Sequence, residues 1–121
     1  MNKDKIIKEK KVIGCDIGGV LKNMIDRSVY LNAVETLSNL SKQFEIIFIS
    51  KCKESYKKSN DEWLKDNSLS EYKIFYCEKY GDKIAIANKN KVDIMIDDRM
   101  QVLSTIPSTI IKYGFVKMIR N

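Results

Sequence analysis

Short apolar runs alternate along this chain with amphipathic stretches, and the two kinds of segment have different periods. Residues 12–16 (VIGCD) form a brief apolar run that ends in a carboxylate and is followed by paired glycines, the pattern of a buried strand leading into a tight loop. Residues 30–42 place Val34, Leu37 and Leu40 on one face, with Leu31 and Ser38 alongside, which predicts a helix. Residues 44–50 (FEIIFIS) are almost continuously apolar and β-branched, as in a strand covered on both faces. A second helix is predicted over 55–64, around Tyr56, Trp63 and Leu64, and a third strand over 72–77 (YKIFYC). Residues 82–90 predict a short helix, with Asp82 near its N-terminus and Ile84, Ala85 and Ala87 turned inward. A fourth strand over 92–97 (VDIMID) ends in paired carboxylates, a helical turn follows at 100–105, and 109–115 (TIIKYGF) predict a fifth strand.

Strands and helices alternating at this spacing predict βαβ units, hence an α/β fold: a Rossmann-like three-layer sandwich with a five-stranded parallel sheet. With 121 residues and neither a repeat nor a linker-like segment, the chain is expected to form one domain over 12–121, preceded by a basic segment over 1–11. The apolar fraction of 44% and the charged fraction of 31% fit a globular protein, and no apolar run has the length of a membrane span. The charged N-terminus lacks a signal-type apolar stretch, which predicts a cytoplasmic protein with no membrane partner. Three cysteines (Cys15, Cys52 and Cys77) make an odd number without CxxC spacing, so reduced structural thiols are expected. Phe44, Phe48, Trp63 and Phe75 are expected in the core.

Charge and missing residue types narrow the chemistry. The chain has no histidine, which removes imidazole acid–base catalysis and every histidine-containing metal site. Of the net charge of +6, residues 1–11 carry +3 and residues 99–121 carry +4, so the basic surplus lies at the ends. Such ends either solubilise the chain or attract a polyanion such as nucleic acid. The polar residues that matter more lie at strand ends: Asp16 after the first, Ser50 after the second, Asp97 and Asp98 after the fourth. In an open parallel sheet, ligands bind at the carboxyl ends of the strands. A carboxylate-rich site there suits a hard divalent cation such as Mg²⁺.

VIGCDIGGVL resembles the first motif of the haloacid dehalogenase superfamily, an apolar strand followed by DxDGV or DxDGT. IIFIS resembles its second motif, Lys83 stands at the spacing of the third-motif lysine in smaller members, and DIMIDDR resembles the fourth. The four occur in order over residues 12–99, with a looser likeness to deoxyribonucleotidase-like phosphatases. The resemblance implies a Mg²⁺-dependent phosphohydrolase or phosphotransferase in which Asp16 attacks phosphorus and forms an aspartyl-phosphate. Asp16, Asp97 and the Gly18 carbonyl would hold Mg²⁺, with Asp98 binding directly or through water. Ser50 and Lys83 would complete the catalytic set, and Ser50, Lys51, Lys83, Gly18 and Gly19 would bind phosphate. Lys79 is the rival for the lysine role. Each residue also has a plain structural reading: Asp16 as a loop cap, the acidic pair as a turn, Ser50 as a strand end, Lys83 as an exposed helix lysine, and Arg99 as a charge balance for the acidic pair.

One position departs from the pattern. Where the family's phosphatases carry a second Asp that protonates the leaving group, this chain has Gly18, which transfers no proton. Loss of a general acid–base group costs about 10²–10⁴-fold in rate. Three readings follow: a slow or specialised phosphoryl-transfer enzyme with another donor, such as Asp26 or a substrate group; a catalytically impaired domain that binds metal, phosphate or another protein; and a nucleic-acid-associated protein using its basic ends. Only residues 21–32 separate the first motif from the first helix, which leaves no room for a substantial cap domain. An open site is therefore expected, suited to a nucleotide or macromolecular phosphate, or closed by a second subunit.

Overall fold

The computed structural model describes residues 10–106 and 108–114. Five strands form one parallel sheet: β1 (Lys11–Cys15), β2 (Phe44–Lys51), β3 (Lys73–Cys77), β4 (Val92–Asp97) and β5 (Ile111–Gly114), in the spatial order β3-β2-β1-β4-β5. The helices are α1 (Ala33–Leu40), α2 (Lys57–Asp66), α3 (Asp82–Lys89) and the single turn α4 (Met100–Leu103), with a 3₁₀ turn at Glu54–Tyr56 leading into α2. The predicted Rossmann-like α/β architecture is present. The basic segment over 1–11 and the end of the fifth strand at Phe115 lie largely outside the described residues.

Side-chain alternation along the central strands builds a core on each side of the sheet. Ile13, Cys15, Ile46 and Phe48 face α1 and α2 and pack with Leu37, Trp63, Leu64 and Leu69. Val12, Ile47, Ile49 and Met95 face the other way, with Ala87, Leu103, Ile106 and Ile110. Gly14 lies between those last residues: a Cβ there would stand 3.1 Å from Ile49 Cδ1 and 3.2 Å from Met95 Sδ. Phe48 and Trp63 are buried as expected, whereas Phe44 and Phe75 are only partly covered.

Local details depart from the pattern for identifiable reasons. The first helix begins at Ala33, not at residue 30, because Asn32 adopts a left-handed conformation (φ 65°) that breaks the turn; Leu31 is left exposed. In α3 the inward positions belong to Lys83 and Ala87, one turn apart, and Ala85 faces outward. The register between β1 and β4 slips at Val12, where the side-chain Oδ2 of Asp93 accepts the Val12 N–H at 2.8 Å.

Candidate functional site

The strand order reverses between β1 and β4, and the polar strand ends meet at that point. Asp16 follows β1 directly; its N–H continues the ladder to Ile96 O at 2.9 Å, and its Oδ1 accepts the Ile17 N–H at 2.8 Å. Asp97 ends β4 and is fully buried, with Oδ1 accepting the Arg99 N–H at 2.9 Å. These bonds fix both carboxylates before any ligand arrives.

Lys83 joins them. It enters from the first turn of α3, is 1% exposed, and places Nζ 3.1 Å from Asp16 Oδ1 and 2.8 Å from Asp97 Oδ2. A lysine so deeply buried is tolerable only when paired. Lys79 is exposed, so the geometry selects Lys83 as the lysine that reaches the carboxylates. Two charges of one sign and one of the other in a buried pocket displace the protonation equilibria. Burial pushes Asp16 up to about 7, with Asp97 and Asp98 adding to the rise and Lys83 opposing it. Burial also works against the Lys83 ammonium, but Asp16 and Asp97 outweigh it and the pKa is raised.

Asp98, which is exposed, brings a third carboxylate, and one oxygen of each of Asp16, Asp97 and Asp98 lies within 4.8 Å of the others. Its side chain is received by Gly19. That residue has φ 81°, and a Cβ there would overlap the Asp98 carboxylate. The all-oxygen donor set and this cradle fit a hard divalent cation held by Asp16, Asp97 and Asp98. Gly19 donates its N–H to Lys22 O at 2.9 Å, so that donor is engaged within the loop and not offered to phosphate.

A cleft of about 450 Å³ opens above the carboxylates. Ser50, Lys51, Gly18 and Arg99 line it, as do Tyr56 and Tyr80. The Tyr80 ring gathers cations: Lys51 Nζ and the Arg99 guanidinium each lie 4.6 Å from its centroid and Lys83 Nζ 5.9 Å. Arg99 thus faces the cleft, stacked on Tyr80. Asp26, considered as a substitute proton donor, is exposed, accepts the Ser28 N–H and hydroxyl, and is not part of the cleft wall.

Residues 21–32 form a tight loop at the cleft rim. Lys22 bridges to Gly18 and to Val29, Asn23 and Ser28 close a turn at 2.8 Å, and the Trp63 indole donates to Arg27 O at 2.7 Å. Met24 lies across Gly18, with its sulfur 2.9 Å from where a Gly18 Cβ would stand. Lys22, Arg27, Asn60, Tyr80 and Met24 were not anticipated as site residues. For Tyr80 a signal existed, since it follows β3 just before α3, at the same sheet edge as Asp16 and Ser50. The other four reach the cleft through the path of this loop and the placement of α2, which periodicity does not encode.

The cysteines do not form a cluster of reactive thiols. Cys15 and Cys77 are buried, and burial raises all three thiol pKa values. Among the described residues no helix is long and apolar enough to cross a membrane. No protein family, curated protein or solved structure matches the chain.

Proposed function

We propose that this chain is a haloacid-dehalogenase-like, Mg²⁺-dependent phosphoryl-transfer domain with Asp16 as nucleophile. The observation that carries the reading is the buried bridge from Asp16 through Lys83 to Asp97, at the sheet's switch point and beneath an open cleft. It orients a carboxylate that shares its cleft with Ser50, Lys51 and Arg99, groups suited to an incoming phosphoryl group. In the first step a carboxylate oxygen of Asp16 forms a bond to phosphorus as the bond to the leaving oxygen breaks, giving an aspartyl-phosphate. In the second, water attacks that phosphorus, the bond to Asp16 breaks, phosphate leaves and the carboxylate is restored. Lys83 offsets charge on Asp16 and the transferring group, and Ser50 donates to a phosphoryl oxygen. Mg²⁺, held by Asp16, Asp97, Asp98 and the Gly18 carbonyl, would neutralise charge between an anionic nucleophile and an anionic substrate.

Gly18 leaves the leaving group without the usual donor, and Asp26 does not replace it. The reading is therefore of a slow enzyme, or one whose substrate has a good leaving group. The Met24 side chain over Gly18 favours a second reading, a domain that retains the phosphate and metal site for binding. A phosphatase panel with Mg²⁺ on wild type, Asp16→Asn and Gly18→Asp separates the two. Wild-type turnover abolished by Asp16→Asn supports the enzyme. A gain of about 10²–10⁴-fold in Gly18→Asp supports the missing acid–base group; the atoms nearest a Cβ at this position all belong to the flexible Met24 side chain. A silent wild type with an active Gly18→Asp supports the binding domain. Silence in all three, with no Mg²⁺ binding by calorimetry, refutes both.

A further inference from the structure

Five polar or charged residues are buried among those described, and four of them belong to the site above: Asp16, Ser50, Lys83 and Asp97. The fifth, Lys22, has no role in it. Lys22 is 7% exposed and lines the same cleft. Its ammonium lies 5.0 Å above the Trp63 ring and donates to Asn60 Oδ1 at 3.4 Å. Among the described residues it forms no ion pair with a carboxylate, unlike Lys83. Its strongest charged neighbour is Arg27, which repels it, and burial together with that repulsion lowers its pKa. Arg27 lines the cleft too, with its guanidinium 3.3 Å from Ser59 Oγ.

Buried Lys22 and exposed Arg27 thus line one cleft, and the partners described for them, the Trp63 ring, Asn60 and Ser59, are neutral. A partly desolvated lysine without a carboxylate partner is disfavoured, and an anion arriving in the cleft supplies the missing counter-charge. Around Asp16 the situation is reversed, since carboxylates there already neutralise Lys83. The cleft therefore has two electrostatically distinct ends. We propose that Lys22, Arg27 and Asn60 form a second anion subsite, and that the molecule taken by this cleft carries a second phosphate-like group besides the one presented to Asp16. This rests on the phosphoryl-transfer reading for the Asp16 end, but the Lys22 end is testable without catalysis.

The probes are methylphosphonate and a series of α,ω-bisphosphonates of increasing spacer length, none of which carries a phosphoryl ester to transfer. Binding is measured by calorimetry with Mg²⁺ on wild type, Lys22→Met and Lys22→Arg. Trp63, the sole tryptophan, provides a second readout, because an anion that draws the Lys22 ammonium off the ring changes its emission. At least one bisphosphonate should bind wild type about tenfold or more tightly than methylphosphonate, as expected from one added charge-assisted contact. Lys22→Met should abolish that advantage while leaving methylphosphonate unchanged, and Lys22→Arg should retain it. In wild type, Trp63 emission should respond to the bisphosphonate at the calorimetric midpoint and not to methylphosphonate. The subsite is refuted if no bisphosphonate gains over methylphosphonate, if Lys22→Met weakens both probes equally, or if Trp63 emission is indifferent to the bound bisphosphonate. A failed phosphatase panel with these results intact overturns the catalytic reading alone.

Discussion

Asp16, Asp97 and Lys83 share a pocket in which one ammonium serves two carboxylates, so the charge does not balance until something else binds. The cost falls on Asp16, which titrates near 7 instead of its ordinary 3.8. Because the folded protein then holds that proton more tightly than the unfolded chain, unfolding releases it between these values. Stability from this group is present below about pH 4 and is lost as pH rises through about 7. Denaturant unfolding in chelator at pH 5 and pH 7.5 should show wild type losing stability over this interval and Asp16→Asn losing much less. Equal slopes in the two proteins would contradict the assignment. At this scale the acidic strand ends and Ser50 were legible in the sequence, since a polar residue closing an apolar run stands out. The burial of Lys83 was only half legible: its distance from Asp97 along the chain was visible, but not that it takes the inward position of α3 in place of Ala85.

The elements position these residues through their ends. β1 and β4 deliver the carboxylates, β2 delivers Ser50, and α3 inserts Lys83 from the far face of the sheet. The loop over 21–32 is held differently, by turns of its own and by the Trp63 indole, whose N–H donates to Arg27 O. Trp63→Phe removes that donor and leaves a carbonyl to find another partner. It should cost about 1–3 kcal/mol and raise hydrogen exchange selectively over residues 22–29, with β2 protection unchanged. Uniform loss of protection would show Trp63 to be purely a core residue. Strand identities followed from short apolar runs and helix identities from the 3.6-residue period, and the boundaries that slipped did so where backbone conformation decided. The left-handed Asn32 and the Asp93 contact to Val12 are tertiary choices with no distinct signature in the residue pattern.

Across the whole molecule, the parallel order β3-β2-β1-β4-β5 brings residues more than eighty positions apart in the chain into one cleft and leaves that cleft open. The parallel α/β sheet was legible because strands alternate with helices at βαβ spacing, whereas the order of its strands was not read from the pattern. The cation-lined end of the cleft was not, because it arises where the loop after β1 meets α2. A ligand that binds only the folded cleft stabilises the fold by mass action. At about one hundred times its dissociation constant, Mg²⁺ should add about 2.7 kcal/mol to wild-type stability, and Asp97→Asn should remove the increment. A Mg²⁺ effect of the same size in Asp97→Asn would place the ion elsewhere.

The most direct measurement concerns the intermediate itself. With Asp16 as nucleophile and no proton-transferring side chain at residue 18, an aspartyl-phosphate should form from a donor with a good leaving group and then hydrolyse slowly. Wild type, Asp16→Asn and Gly18→Asp are incubated with acetyl phosphate and Mg²⁺, quenched in acid and analysed by peptide mass spectrometry. Wild type should carry one added phosphoryl group on the peptide containing Asp16, Asp16→Asn should carry none, and the adduct should decay faster in Gly18→Asp. No adduct in wild type, or an adduct that persists in Asp16→Asn, would contradict this role of Asp16.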